Sequence, residues 1–149
     1  MNRRNMLWSA VSALGAALGT SRAQAATEPP PANKLKVVYH LSDAEKVNFV
    51  LGNIRNHIDG VGGPEHVTIA LVIHGPALKP FHAAQANPDV SKRVGEFSKD
   101  GVELAACANT MKAQNVTLTE LLPGFVIAEK GGVVRLAELQ SQGYLYLRP

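Results

Sequence analysis

The sequence contains a single cysteine, Cys107, among its 149 residues. An internal disulfide is therefore excluded. The thiol is a small buried residue, half of an intermolecular bridge, or a reactive group. Aromatic residues are also scarce, at 5% of the sequence, and none interleaves with a run of Lys and Arg. This pattern argues against a nucleic-acid partner.

An excess of positive charge is also missing once the first 25 residues are set aside. The formal net charge is +3, but Arg3, Arg4 and Arg22 all lie in that segment. Without them Lys+Arg falls from 15 to 12, which equals the 12 Asp and Glu residues. The remaining chain is therefore neutral overall, without a basic footprint for nucleic acid.

Several cofactor and catalytic motifs are absent. No Walker-type loop occurs, and residues 60–63 (GVGG) do not follow a predicted strand, so a dinucleotide fingerprint is not supported. No GxSxG nucleophile elbow occurs either. We expect no bound cofactor.

The first 25 residues predict export to the periplasm. Arg3 and Arg4 are followed by an apolar or small run over residues 6–20 and a small-x-small site at residues 23–25 (AQA). This is the order of a signal peptide. A membrane anchor is the alternative, but the apolar run is shorter than the roughly 20 residues that a membrane-spanning helix needs. The paired arginines and Arg22 favour twin-arginine export over the general pathway. No second apolar run of membrane length follows.

After this signal (residues 1–25), a Pro-rich tether (26–34) leads to one α/β domain (35–149). Strands alternate with helices, which predicts a three-layer α/β/α domain with a mostly parallel five-stranded sheet of Rossmann or flavodoxin-like type. The predicted helices begin at two capping boxes (residues 42–45 and 117–120), at Asn87-Pro88 and at Gly132. The predicted strands cover residues 36–41, 66–74, 102–106, 125–128 and 144–147.

Three chemically active side chains fall at the carboxyl ends of predicted strands. They are His40, His74 and Cys107, and ligands bind at this edge of parallel sheets. A helix that starts just after Cys107, with Asn109 and Thr110 in its first turn, would lower the thiol pKa. The alternative is an inert, packed cysteine. A zinc or copper site on the three residues fits their chemistry, but no HxH or CxxC spacing supports it, and no metal is predicted.

Four segments resemble the DsrE/DsrF-like family (TusD/YchN-type): residues 36–43 (KVVYHLSD), 71–78 (LVIHGPAL), 101–111 (GVELAACANTM) and 139–149 (LQSQGYLYLRP). The resemblance implies a DsrEFH-like fold, a homotrimer or homohexamer, and a persulfide on Cys107 that passes between donor and acceptor proteins. Two features depart from the sulfur relays. The chain carries an export signal, and residues 108–115 lack their Arg-Gly, so it looks like an exported, single-domain member.

The leading hypothesis is therefore a periplasmic protein of sulfur metabolism that binds or transfers sulfane sulfur on Cys107, with His40 and His74 as neighbours that favour the thiolate or bind substrate. The alternative is a non-catalytic oligomeric module that binds a small ligand or metal in the same cleft. A cysteine hydrolase with a histidine base is a third hypothesis, for which no oxyanion-hole motif is present.

The first prediction concerns export. Because residues 1–25 have the order of a signal peptide, fractionation is expected to find the processed chain in the periplasm, beginning near Ala26. Replacing Arg3 and Arg4 with Lys is expected to block export by the twin-arginine route. Unprocessed protein in the cytoplasm of the parent strain would contradict the prediction; export of the Lys variant would indicate the general pathway.

Overall fold

The computed structural model describes residues 34–149, so the predicted signal peptide and nearly all of the tether lie outside the described residues. Five strands and four α-helices alternate along this part of the chain. The strands are β1 (Leu35–Leu41), β2 (Val67–Ile73), β3 (Glu103–Cys107), β4 (Phe125–Ala128) and β5 (Leu145–Leu147). The helices are α1 (Val47–Gly60), α2 (Pro88–Lys99), α3 (Ala108–Ala113) and α4 (Gly132–Ser141).

All five strands pair in parallel, in the order β4-β3-β2-β1-β5. This confirms the predicted α/β fold with a five-stranded sheet. Parallel pairing places every carboxyl end at one edge. Ile73 of β2 is level with Ala106 of β3, and His40 of β1 is level with Val72 of β2. The side chains at the ends of β1, β2 and β3 are therefore neighbours.

The two faces of the sheet are covered unequally. On one face, α1 and α2 bury the larger core, in which Leu71, Ile73 and Leu104 are fully buried. On the other face, α4 alone packs on small strand residues such as Ala70 and Ala105. Alanines let this single helix lie close to the sheet. The outer strands on this side are left partly open to solvent.

The capping box predicted at residues 42–45 is wrong. Asp43 makes no side-chain cap, residues 44–46 form a single 3₁₀ turn, and α1 starts at Val47. The reason is a competing partner, since the Ser42 hydroxyl accepts a hydrogen bond from Arg148 at 3.0 Å. The box predicted at residues 117–120 does form, but on a 3₁₀ helix, Leu118–Glu120.

The chain between β2 and α2 forms a long 3₁₀ helix, Gly75–Phe81, whose residues Leu78 and Phe81 are fully buried. Every helix within residues 34–149 is too short or too polar to cross a lipid bilayer.

Candidate functional site at the carboxyl edge of the sheet

The structure brings the five candidate side chains to one edge of the sheet. His40 is the penultimate residue of β1, His74 directly follows β2, and Cys107 ends β3. Helix α3 starts at the next residue, which meets the condition stated for a lowered thiol pKa, and its first turn carries Asn109 and Thr110. All three side chains lie on the α4 side of the sheet. His40 is level with Val72 of that face, and Cys107 and His74 follow Ala105 and Val72 of the same face by two positions.

Cys107 is nearly enclosed, with only 5% of its surface exposed. It belongs to neither of the two aliphatic clusters. Its enclosure comes instead from the turn before α4: a Cβ on Gly132 would lie 3.3 Å from the Cβ atoms of both Cys107 and His74. A Cβ on Gly131 would lie 4.0 Å from the sulfur and 2.8 Å from Asn109 Nδ2. The backbone of this turn and the Asn109 amide therefore lie close to the thiol.

Thr110 links the thiol to the start of the 3₁₀ helix that follows β2. The Gly75 N–H donates to Thr110 Oγ1 at 2.9 Å, which leaves the hydroxyl proton free to be donated to the Cys107 sulfur. Directly after the last residue of α3, Gln114 Nε2 donates to the Gly75 carbonyl at 2.9 Å. One side chain in α3 and one at its C-terminal end thus hold both polar groups of Gly75, which fixes the position of Thr110.

These contacts determine the acidity of the thiol. Burial raises the pKa of Cys107, but hydrogen bonds from the Thr110 hydroxyl and from the backbone N–H groups of Thr110, Gly132 and Asn109 outweigh burial. The net result is a pKa below the usual value of a cysteine. The protein's own donors replace water around the thiolate, which is the nucleophilic form.

His40 and His74 form a close pair beside this thiol. Their Nε2 atoms are 2.6 Å apart, and the ring planes are inclined by 25° with centroids at 4.8 Å. His40 Nδ1 lies 2.6 Å from the Tyr146 hydroxyl of β5. Sequence reasoning missed Tyr146, because its only signal is a strand position, and nothing local indicates that β5 pairs with β1.

His40 and His74 were expected to favour the thiolate or to bind substrate, and the pKa values of both rings lie below the usual value of a histidine. The pKa of His40 is lowered by burial, by His74 and by Arg148; the pKa of His74 is lowered by burial and by Arg148. Asp43 opposes both shifts without cancelling them. Both rings are therefore neutral near pH 7, and the groups that favour the thiolate are hydrogen-bond donors.

A metal centre has no support in the described part of the chain. No group of three or more His, Cys, Asp or Glu side chains within residues 34–149 is arranged to hold a metal ion. The two histidines direct their Nε2 atoms at each other, so neither of these nitrogens faces the sulfur.

A donor-lined cysteine at the carboxyl edge of a parallel five-stranded sheet defines this protein as a thiol-bearing α/β domain. A family model narrows the class: the DsrE/DsrF-like family matches residues 32–149, and the chain belongs to that family. Membership points to a role in sulfur metabolism.

Solved structures agree with this assignment. The fold is similar to that of a protein of unknown function, MTH1491 from Methanobacterium thermoautotrophicum, at 26% identity and a TM-score of 0.67, over 77% of this chain and 99% of that one. The ychN protein from E. coli has the same fold at 10% identity and a TM-score of 0.55, over 77% and 100%. A protein of unknown function from Bacteroides thetaiotaomicron, BT1422, shares it at 18% identity and a TM-score of 0.59, over 80% and 97%. No curated protein matches.

The second prediction concerns the acidity of Cys107. Thr110→Val removes a donor to the thiolate, so the pKa of Cys107 is expected to rise and the thiolate fraction at neutral pH to fall. The rate of alkylation measured against pH will report this as a shift of the curve to higher pH. Thr110→Val also leaves the Gly75 N–H without its acceptor, which is expected to cost about 1 kcal/mol of stability.

Two variants serve as controls for this measurement. Thr110→Ser keeps the hydroxyl and is expected to retain the parent curve. Thr68→Val in β2 makes the same chemical change away from the thiol and is also expected to retain it. An unchanged alkylation curve in Thr110→Val would contradict the role of the Thr110 hydroxyl.

Proposed function

We propose that the protein is a sulfane-sulfur carrier that holds the sulfur as a persulfide on Cys107. The observation that carries this proposal is the position of Cys107 at the carboxyl edge of the sheet and directly before α3, where the Thr110 hydroxyl and the backbone N–H groups of Asn109, Thr110 and Gly132 lower its pKa. Such donors stabilise negative charge on a sulfur atom in a water-poor setting. Family membership supports the same chemistry.

Loading begins when the Cys107 thiolate attacks the outer sulfur of a donor persulfide. The sulfur–sulfur bond of the donor breaks, a new bond forms to Cys107, and the donor leaves as a thiolate that takes up a proton. In unloading, an acceptor thiolate attacks the outer sulfur and Cys107 leaves as its thiolate. No electrons are gained or lost overall. A single cysteine suits this exchange, because no second thiol is present to expel the sulfur as a disulfide.

A ligand-binding module without catalysis is the second candidate function, and the burial of Cys107 favours it. With 5% exposure, the thiol offers little surface to a partner protein. Against this, Gly131, Gly132 and Asn109 lie close to the thiol, whereas an inert cysteine is ordinarily packed among aliphatic side chains. The polar lining therefore supports sulfur transfer as the first candidate.

We further propose that the carrier acts in the periplasm, with sulfur donor and acceptor proteins or small sulfur compounds as partners. Support for this location comes from the order of positive, apolar and small residues in residues 1–25. A neutral charge balance after that segment supports partners other than nucleic acid.

A homotrimer or homohexamer is the assembly that we propose. Helix α4 covers its face of the sheet alone, and apolar side chains around it remain exposed: Val126 of β4 by 49% and Val133 of α4 by 69%. Exposed apolar area of this kind is characteristic of surfaces that associate.

The third prediction tests the persulfide. Incubation of the purified chain with an alkyl persulfide is expected to add the mass of one sulfur atom, detected by intact-mass spectrometry and removed by a thiol acceptor. Cys107→Ser changes little volume and is expected to keep the fold while losing the adduct. If no sulfur donor gives an adduct on the parent chain, the carrier function is refuted and the binding module stands.

The fourth prediction concerns assembly. Light scattering of the parent chain at micromolar concentration is expected to give a multiple of three, and Val126→Lys is expected to shift it towards the monomer, because a lysine ammonium is costly to bury. Phe49→Lys is the matched control, since Phe49 is 60% exposed on α1, across the sheet. A strictly monomeric parent chain would contradict the proposal.

A further inference from the structure

Three side chains form a continuous hydrogen-bonded row from the surface to the neighbourhood of the thiol. Tyr146, 42% exposed on the edge strand β5, lies 2.6 Å from His40 Nδ1. His40 Nε2 lies 2.6 Å from His74 Nε2. His74 in turn borders Cys107, because a Cβ on Gly132 would touch the Cβ atoms of both at 3.3 Å. The row crosses three adjacent strand ends.

The row has two equivalent arrangements of its protons. In the first, the Tyr146 hydroxyl donates to His40 Nδ1 and His40 Nε2–H donates to His74 Nε2, so His74 carries its proton on Nδ1. In the second, His74 Nε2–H donates to His40 Nε2 and His40 Nδ1–H donates to the Tyr146 oxygen. A proton given up by His74 converts the first arrangement into the second, while Tyr146 takes a replacement from water.

We infer that Tyr146, His40 and His74 form a proton relay that serves the sulfur exchange at Cys107. The inference rests on the proposed carrier function. During loading, the donor leaves as a thiolate and takes a proton from His74 Nδ1, which the relay replaces from solvent through His40 and Tyr146. During unloading, the acceptor thiol gives its proton to His74 Nδ1, and the relay returns one to solvent. The second step restores the first arrangement, so protons balance over the cycle.

Burial, together with the positive charge of Arg148, lowers the pKa of both rings and favours the neutral form that a relay needs. The groups that face it are Arg148, beyond β5, and Asp43, beyond β1, with Arg148 3.6 Å from Asp43. Cys107 faces it from the end of β3. Neutral imidazoles accept and donate at the same time, whereas a doubly protonated ring only donates. His74 is the one member placed beside the reacting sulfur. Tyr146 and His40 act through it and are positioning residues.

The sharpest test varies the basicity of the leaving group. An alkyl persulfide such as glutathione persulfide expels a thiolate whose parent thiol has a pKa of about 8.5. Thiosulfate expels sulfite, a weaker base that leaves without needing a proton. The rate of loading by each donor is followed by intact-mass spectrometry under single-turnover conditions. A variant that has lost only the protonation of the leaving group is slowed with glutathione persulfide more than with thiosulfate.

Tyr146→Phe is expected to slow loading from glutathione persulfide roughly 10-fold and His74→Gln roughly 100-fold, and both are expected to slow loading from thiosulfate much less. The defect is expected to grow as pH rises, because solvent then supplies fewer protons. Tyr144→Phe is the matched control: the Tyr144 hydroxyl makes no hydrogen bond within residues 34–149, and its ring lies under Lys36 at 5.8 Å. It is expected to load from both donors at the parent rate.

Each result has a single meaning. Equal slowing with both donors would assign Tyr146 a structural role and overturn the relay. Parent rates in Tyr146→Phe and His74→Gln with both donors would also overturn it, while leaving the carrier function intact. Failure of the parent chain to load from either donor would refute the carrier function, and the relay with it.

Discussion

The turn at Gly131 and Gly132 brings the first residues of α4 against the side chains of Cys107 and His74. Gly131 has a φ of 98°, a conformation that other residues adopt only with strain, and a Cβ there would press on Asn109 at 2.8 Å. Gly132 has no room for a side chain larger than hydrogen without movement of Cys107 or His74. Two glycines therefore let the backbone replace water at the sulfur.

This close approach explains why burial and acidity coexist at one thiol. A cysteine that is 5% exposed would ordinarily have a raised pKa, because its charged form loses solvation. Here the approaching Gly132 amide, the first amides of α3 and the Thr110 hydroxyl supply donors at fixed positions. Fixed donors need no reorganisation when charge develops on the sulfur, which is the advantage of a preorganised site over water.

Sequence alone predicted the parallel α/β fold and the edge of the sheet at which His40, His74 and Cys107 lie. Strand ends are readable because β2 is a continuous apolar run bounded by His66 and Gly75-Pro76. What could not be read depends on contacts between distant residues. The Ser42 hydroxyl failed to cap a helix because Arg148, 106 positions away, takes it as an acceptor.

The same limit applies inside the site. Thr110 looked like a residue of a helix start, and only its contact with Gly75 shows why its hydroxyl proton is available. The histidines were expected to favour the thiolate or bind substrate, and only the folded chain shows that burial and the proximity of Arg148 lower the pKa of both rings. Tyr146 could not be found at all, because its role depends on the order β2-β1-β5.

The site therefore separates two requirements that conflict in a single residue. A sulfur nucleophile needs its negative charge stabilised, whereas the group it displaces needs a proton. A protonated histidine that served both would give its proton to the Cys107 thiolate before the leaving group appeared. In this structure, donors of low acidity from α3 and the Gly132 backbone stabilise the thiolate, while two neutral imidazoles stand on the other side. Neutral rings leave the thiolate ionised, yet they protonate a stronger base, such as a departing alkyl thiolate, when it forms beside His74.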